Sequence, residues 1–195
     1  MKRAMKKEND NFLKNYKNLI LTMILSIIII SYFLFEEIGL NSLILSLVIV
    51  IGFYTVEKYF SLNFQIHHYF YILIIVFSIV FFYYFQLQFT YVDKILHLIG
   101  GFMLASVSYY IFKKKKLNYP LITAFIFSLS IILAYEFYEY IMDYYFEIPM
   151  RGVYQNINNQ IIMLIDPVKD TIQDITLGIT GFFLFIIKNV LKNKN

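Results

Sequence analysis

Six apolar runs, at residues 19–35, 40–56, 69–85, 95–112, 121–142 and 172–187, take up most of the chain. Each is close to the ~20 residues a helix needs to cross the hydrocarbon of a bilayer, and the shorter ones lean on flanking aromatic and polar ends. The fold class expected is therefore all-α: a polytopic membrane protein, a bundle of about six transmembrane helices. Composition agrees, because 59% of residues are hydrophobic and only 15% are charged, where a soluble domain carries about 25% charged residues. One integral membrane domain over residues 1–195 is expected, with a basic arm at 1–18 and an extracytoplasmic loop at 143–169.

The polar segments fix an expected orientation, since cytoplasmic loops collect Lys and Arg. With the N-terminus inside, 14 of the 17 basic residues fall on the inner side, and Lys94, Arg151 and Lys169 remain outside. Both termini are thus expected in the cytoplasm. The net charge of +4 becomes a topology signal, and the "KKKK" run at 113–116 suits anionic lipid at a membrane surface. Membrane lipid is the expected partner and nucleic acid is not, because no reading motif accompanies the lysines. The first span is expected to stay attached, being longer than a signal-peptide core and lacking a small-x-small cleavage site. With no cysteine, disulfides, thiolate nucleophiles and Cys-ligated zinc are excluded.

The acids run the opposite way. Glu8, Asp10 and Glu57 lie inside, while Glu36, Glu37, Asp93, Glu136, Glu139, Asp143, Glu147, Asp166, Asp170 and Asp174 lie at the outer ends. Orientation rules do not demand this, since Asp and Glu contribute little to them. Helical spacing gives a cause. In "DKILHLIGG" the residues Asp93, His97 and Gly101 stand at i, i+4 and i+8, and "DTIQDITLG" repeats the pattern with Asp170, Asp174 and Gly178. Each triplet drifts only ~40° per step, so it forms one stripe from a shallow carboxylate to a deeper ligand-capable group to a glycine that lets another helix approach. "YEFYEYIMD" adds Glu136, Glu139 and Asp143 on the fifth helix. Ionisable groups facing lipid cost several kcal/mol each, so the three stripes are expected to face one another around a polar pocket.

So many carboxylates against His97 and Lys94 cannot all stay charged at close range; some hold protons or a cation sits among them. Carboxylates with one imidazole suit Mg²⁺, Mn²⁺ or Zn²⁺. The expected metal ligands are Asp93, His97, Glu136, Glu139, Asp170 and Asp174, with His97, Glu136 and Asp174 as the catalytic set. Lys94 and Arg151 are expected to meet substrate, and Arg151 with Lys169 supplies the cations of the long outer loop. In that loop "NINNQIIMLI" has an amphipathic half suited to the interface.

Blander roles fit other residues. Glu36, Glu37, Glu147 and Asp166 read as solvated helix-end acids, Asp143 reads equally as site or surface, and Asp170 also reads as an N-cap or first-turn acid. His67 and His68 fall at the end of the third span opposite His97 and read as interfacial. The tyrosines and phenylalanines read as belt and packing residues.

The segments "DKILHLIGGFMLA", "YEFYEYIMD" and "DPVKDTIQDITLGITG" together resemble the YjdF-like family of bacterial inner-membrane proteins, and more distantly VanZ-like proteins, over roughly the C-terminal half of the chain. The resemblance implies that Asp93, His97, Glu136, Asp170, Thr171, Asp174, Gly178 and Gly181 occupy signature positions. Glu139 stands where VanZ-like chains usually carry Gln, which favours the YjdF-like assignment. A multi-pass location in a bacterial or archaeal cytoplasmic membrane follows as an expectation.

No P-loop, dinucleotide fingerprint, HExxH or nucleophile elbow is present. Three functional classes stay open: a metal-assisted enzyme acting on a lipid or lipid-linked envelope precursor, a proton- or cation-coupled transporter, and a non-catalytic envelope scaffold built round a buried polar network. The first is the leading expectation.

Overall fold

The computed structural model describes residues 2–34, 40–88, 91–146, 152–157 and 160–192. Among them are six helices, α1 Lys2–Leu34, α2 Leu40–Tyr59, α3 Ile66–Gln88, α4 Val92–Lys114, α5 Pro120–Phe146 and α6 Pro167–Lys192, and two strands, β1 Val153–Ile157 and β2 Gln160–Ile165. As far as the described residues extend, each expected apolar run lies within one helix. The basic arm is helical and continuous with α1. Of the six spans expected, three helices among the described residues, α4, α5 and α6, are long and apolar enough to cross a membrane. Glu36, Glu37, Glu147 and Arg151 lie outside the described residues.

The chain forms two compact units, residues 1–83 and 84–195. In the first, Ile20, Ile24 and Ile28 make one buried stripe of α1, Leu43, Ser46 and Val50 one of α2, and Tyr69, Ile72, Val76 and Val80 one of α3. These spacings of three and four place each set on a single helical face. The α2–α3 connection is held by Glu57, whose carboxylate accepts from Lys17 Nζ at 3.1 Å, from Phe64 N at 2.7 Å and from the Tyr69 hydroxyl. His68 departs from the interfacial reading. It is 1% exposed, and its Nδ1 accepts from Gln65 N at 3.2 Å while its own N–H donates to Gln65 O at 2.9 Å. This is a reciprocal cap of the α3 N-terminus with imidazole in the place usually taken by a glutamate.

The second unit packs α4, α5 and α6 around Ala105, Ala124, Phe182 and Phe185, with Phe102, Tyr109, Phe112 and Phe125 against them. Pro120 opens α5 and Pro167 opens α6, where a missing N–H is harmless and the fixed φ suits the first turn. Asp166 caps α6, its Oδ1 accepting from Val168 N at 3.1 Å and Lys169 N at 3.0 Å. The cap is therefore Asp166 rather than Asp170, which is left free to turn into the bundle. The amphipathic stretch between α5 and α6 is an antiparallel hairpin, with Val153 paired to Ile165 and Ile157 to Gln160. Ile162, Met163 and Leu164 of β2 are exposed.

Below the acidic residues, α4 and α6 touch backbone to backbone. A Cβ on Gly101 would stand 2.1 Å from the carbonyl oxygen of Gly178, and one on Gly181 2.1 Å from that of Leu98. On Gly178 it would meet the Ile132 side chain of α5 at 2.8 Å, and on Gly100 it would meet nothing within 4 Å. The expectation that Gly101 and Gly178 admit a close helix is met, and Gly181 extends the contact by one turn.

A graded alanine series follows. Gly101→Ala and Gly181→Ala, which strike backbone, should each destabilise the detergent-purified protein by about 1–3 kcal/mol; Gly178→Ala, which strikes a flexible side-chain end, should cost less. Gly100→Ala should be neutral or stabilising. Thermal melts check the order, and equal midpoints for Gly100→Ala and Gly101→Ala would contradict the close packing.

Candidate functional site

One face of each helix supplies the site. On α5, Ala124, Ser128, Glu136 and Glu139 are the buried residues; their spacing keeps both glutamates on the stripe that faces α4 and α6. On α6, Asp170 and Asp174 are 2% and 1% exposed and continue into buried Gly178 and Gly181. On α4, Asp93 is buried in the first turn and His97 is nearly so one turn on. The three stripes converge at the end of the unit that carries the hairpin.

His97 sits at the centre. Its Nε2 lies 3.5 Å from Asp93 Oδ1 and 3.8 Å from Asp174 Oδ1, while Nδ1 lies 3.8 Å from Glu136 Oε1. The three expected catalytic residues, His97, Glu136 and Asp174, are therefore brought together. One ligand atom each from Asp93, His97 and Asp174 falls within 4.8 Å of the others, a spacing able to hold a metal ion. Glu136 adjoins this group through His97. Glu139 is buried beside it and Asp170 is engaged elsewhere, so these two expected ligands lie outside the triad.

Lys94 does not stand free to meet substrate. Its ammonium donates to Asp93 Oδ2 at 3.1 Å, to Asp174 Oδ1 at 2.6 Å and to Asp170 Oδ1. The site thus carries its own cation, bridging α4 to α6. Asp170 has a second task, since its Oδ2 accepts from Gly152 N at 2.6 Å in a buried bond. Gly152 holds φ at 93°, a conformation that costs a side-chain-bearing residue strain, and this lets the base of the hairpin turn its N–H toward α6. Arg151, the other expected substrate-binding residue, lies outside the described residues.

Four buried atoms of the site have no hydrogen-bond partner: both carboxylate oxygens of Glu136, Oδ2 of Asp174 and the Thr171 hydroxyl. Such orphans are rare in folded proteins and mark a strained, catalytic, water-binding or ion-binding position. Tyr135 is adjacent, its ring 6.0 Å from that of His97.

Gly152 acts through its backbone N–H, for which the sequence carried no signal. The sequence did carry a signal for Lys94, which sits seven residues before Gly101 and so on nearly the same line of α4 as the glycine that touches α6.

Removing the Asp170 carboxylate takes from Lys94 one of its three acceptors and leaves the buried Gly152 N–H without its own. Asp170→Ala should therefore destabilise the protein by about 1–3 kcal/mol, the cost of leaving a buried donor unsatisfied, and should speed amide exchange at Gly152. Asp166→Ala, which removes only the cap, should cost about 1 kcal/mol and leave Gly152 protected.

The sequence matches the family described as "Predicted membrane protein (DUF2238)" over residues 16–194, which takes in all three helices of the site. No curated protein and no solved structure matches it. The more distant VanZ-like likeness rests on the motifs alone. With the match covering nearly the whole sequence, the chain belongs to the DUF2238 family of predicted membrane proteins, the YjdF-like family.

Proposed function

We propose that the carboxylate–histidine cluster binds a divalent cation, Mg²⁺, Mn²⁺ or Zn²⁺, at the outer leaflet of a bacterial cytoplasmic membrane, and that the protein is a metal-assisted enzyme acting on a lipid or lipid-linked envelope precursor. The observation that carries this reading is the set of unpartnered oxygens, Glu136 Oε1 and Oε2 and Asp174 Oδ2, beside the Asp93–His97–Asp174 triad. A buried carboxylate short of donors is costly, and a cation among the three oxygens would offset that cost. Oxygen donors with one imidazole are what hard and borderline divalent ions take.

A divalent ion supplies Lewis acidity toward a phosphoryl oxygen. The chain supplies the rest. Glu136, 3.8 Å from His97, accepts the proton of an attacking water as the water's oxygen bonds to phosphorus and returns it to the oxygen whose bond to phosphorus breaks, while His97, as one of the triad, would help hold the ion. The exposed apolar residues Ile162, Met163 and Leu164 give the hairpin a surface suited to acyl chains near that site.

Against a transporter stands the other half of the unit. Its buried polar residues among those described are Ser106, Ser108 and Ser128, with Ser128 Oγ 3.3 Å from Ser108 Oγ, and no ionisable group continues the acidic stripes. A purely structural network is the reading that Lys94 favours, because its ammonium already neutralises part of the acid charge.

Divalent ions separate the two. Binding only to the folded state raises stability by RT ln(1 + [L]/Kd), about 2.7 kcal/mol at a hundredfold excess over Kd. Purified protein should contain a stoichiometric divalent metal by elemental analysis, melt higher with it, and lose the shift in Asp174→Asn and His97→Ala. With envelope lipid extracts, Glu136→Gln should lower phosphate release by ~10²-fold or more. A melt indifferent to all three ions, with no metal on the purified protein, leaves only the structural network.

Orientation has its own test, made simple by the absence of native cysteine. In intact cells an impermeant maleimide should label Lys169→Cys and spare Lys115→Cys until the membrane is opened. The reverse pattern places the site in the inner leaflet.

A further inference from the structure

The position of Lys94 bears on which cations the cluster accepts. Its ammonium reaches two carboxylates, Asp93 and Asp174, that also flank His97 Nε2. The overlap is at the level of atoms, because Asp174 Oδ1 is the acceptor of Lys94 at 2.6 Å and the oxygen 3.8 Å from His97 Nε2. An ion ligated by Asp93, His97 and Asp174 at ~2.0–2.6 Å would stand within a few ångströms of the ammonium, in a buried setting where like charges are poorly screened. The ion and the ammonium therefore compete.

We propose that Lys94 is a tethered competitor that sets the charge selectivity of the site, excluding monovalent cations and yielding to divalent ones. The proposal rests on the cation-binding reading above and adds to it the determinant of which ions bind. The physical argument is one of replacement. A monovalent ion that displaces the ammonium exchanges one positive charge for another and must also outcompete a group fixed to the same helix, whose local concentration is in the millimolar range or above. A divalent ion brings a net gain of one charge among Asp93, Asp174 and Glu136, whose buried oxygens include three without partners. Lys94 need not be lost from the bundle when it moves, since Asp170 Oδ1 also accepts from it and stands outside the triad.

A site closed by its own side chain binds more weakly by the fraction of time it is open. Replacing Lys94 by Met keeps the length and removes the charge, so Lys94→Met should bind Mn²⁺ at least tenfold more tightly than the wild type. It should also acquire a response to Na⁺: its melting midpoint, low in choline chloride, should rise when NaCl replaces choline at equal ionic strength, while the wild-type midpoint stays the same. Calorimetric titration of the full chain in detergent measures the first effect and thermal melts the second. If Lys94→Met does not fold, the wild type supplies the measurement, because labelling of Lys94 by an amine-reactive reagent, read by mass spectrometry, should increase with Mn²⁺ and be unchanged by Na⁺.

The outcomes are distinguishable. Mn²⁺ binding of equal strength in wild type and Lys94→Met, or Lys94 labelling indifferent to Mn²⁺ that binds, overturns the competitor and leaves the divalent site standing. Binding in Lys94→Met alone shows a lysine that does not yield to divalent ions, and overturns the selectivity proposed. No binding by either protein removes the site and the competitor together.

Discussion

Everything at the hairpin end of the second unit depends on how closely α4 approaches α6. The distance is set by glycine: Gly101 lies against the backbone of Gly178, and Gly181 against that of Leu98. At ordinary interhelical spacing of 8–10 Å side chains fill the joint; glycine at the contact removes them and lets the backbones meet. At glycine contact, Lys94 spans from its own helix to Asp170 and Asp174. In lipid there is no hydrophobic force to press helices together, so close van der Waals packing and interhelical polar contacts must do it. Here the two act at successive levels of one seam, glycine contact below and an ammonium–carboxylate bridge above.

The same seam creates an imbalance of charge. Asp93, Asp170 and Asp174 share one ammonium, the imidazole faces Asp93, Glu136 and Asp174, and Glu139 is buried as well. A network meant only to hold helices together would gain by satisfying every member, since half-satisfied buried networks are worse than an apolar core. Lys94 satisfies the side of the cluster toward Asp170, while the side toward Glu136 keeps three bare oxygens. That asymmetry is why the cluster reads as a place where something binds.

How much of this was legible in the sequence follows from which interactions are periodic. The helices were, because apolar runs of membrane length have few alternatives. The convergence of His97, Glu136 and Asp174 was legible too, because each lies on a stripe ending in a small or apolar contact residue. Reading α4 in steps of four traced Asp93, His97 and Gly101 but hid the seven-residue step from Lys94 to Gly101, and with it the bridging role of the lysine. The hairpin was hidden for another reason: "NINNQIIMLI" is apolar on alternate and on successive residues at once, and short runs of that kind do not separate strand from interfacial helix. The Gly152 contact uses a backbone N–H, which every residue but proline has, so no side-chain pattern could reveal it. The cap of α6 is Asp166, which the sequence suggested only as a solvated helix-end acid, while Asp170 takes the first-turn place of its two readings.

Asp170 joins these levels. One of its oxygens accepts from Lys94 and the other from the amide at the foot of the hairpin, so the charge state of the cluster and the seating of the hairpin meet on a single carboxylate. Any cation that shifts Lys94 toward Asp170 adds positive charge beside the oxygen pair that holds Gly152. Because the carboxylate has two faces, it can keep the hairpin while taking the whole of the ammonium, and the cap at Asp166 means it is not also needed to start α6. The helix begins with two acids of separate duty, four residues apart: one holds the turn, and the other joins the buried cluster to the foot of the hairpin.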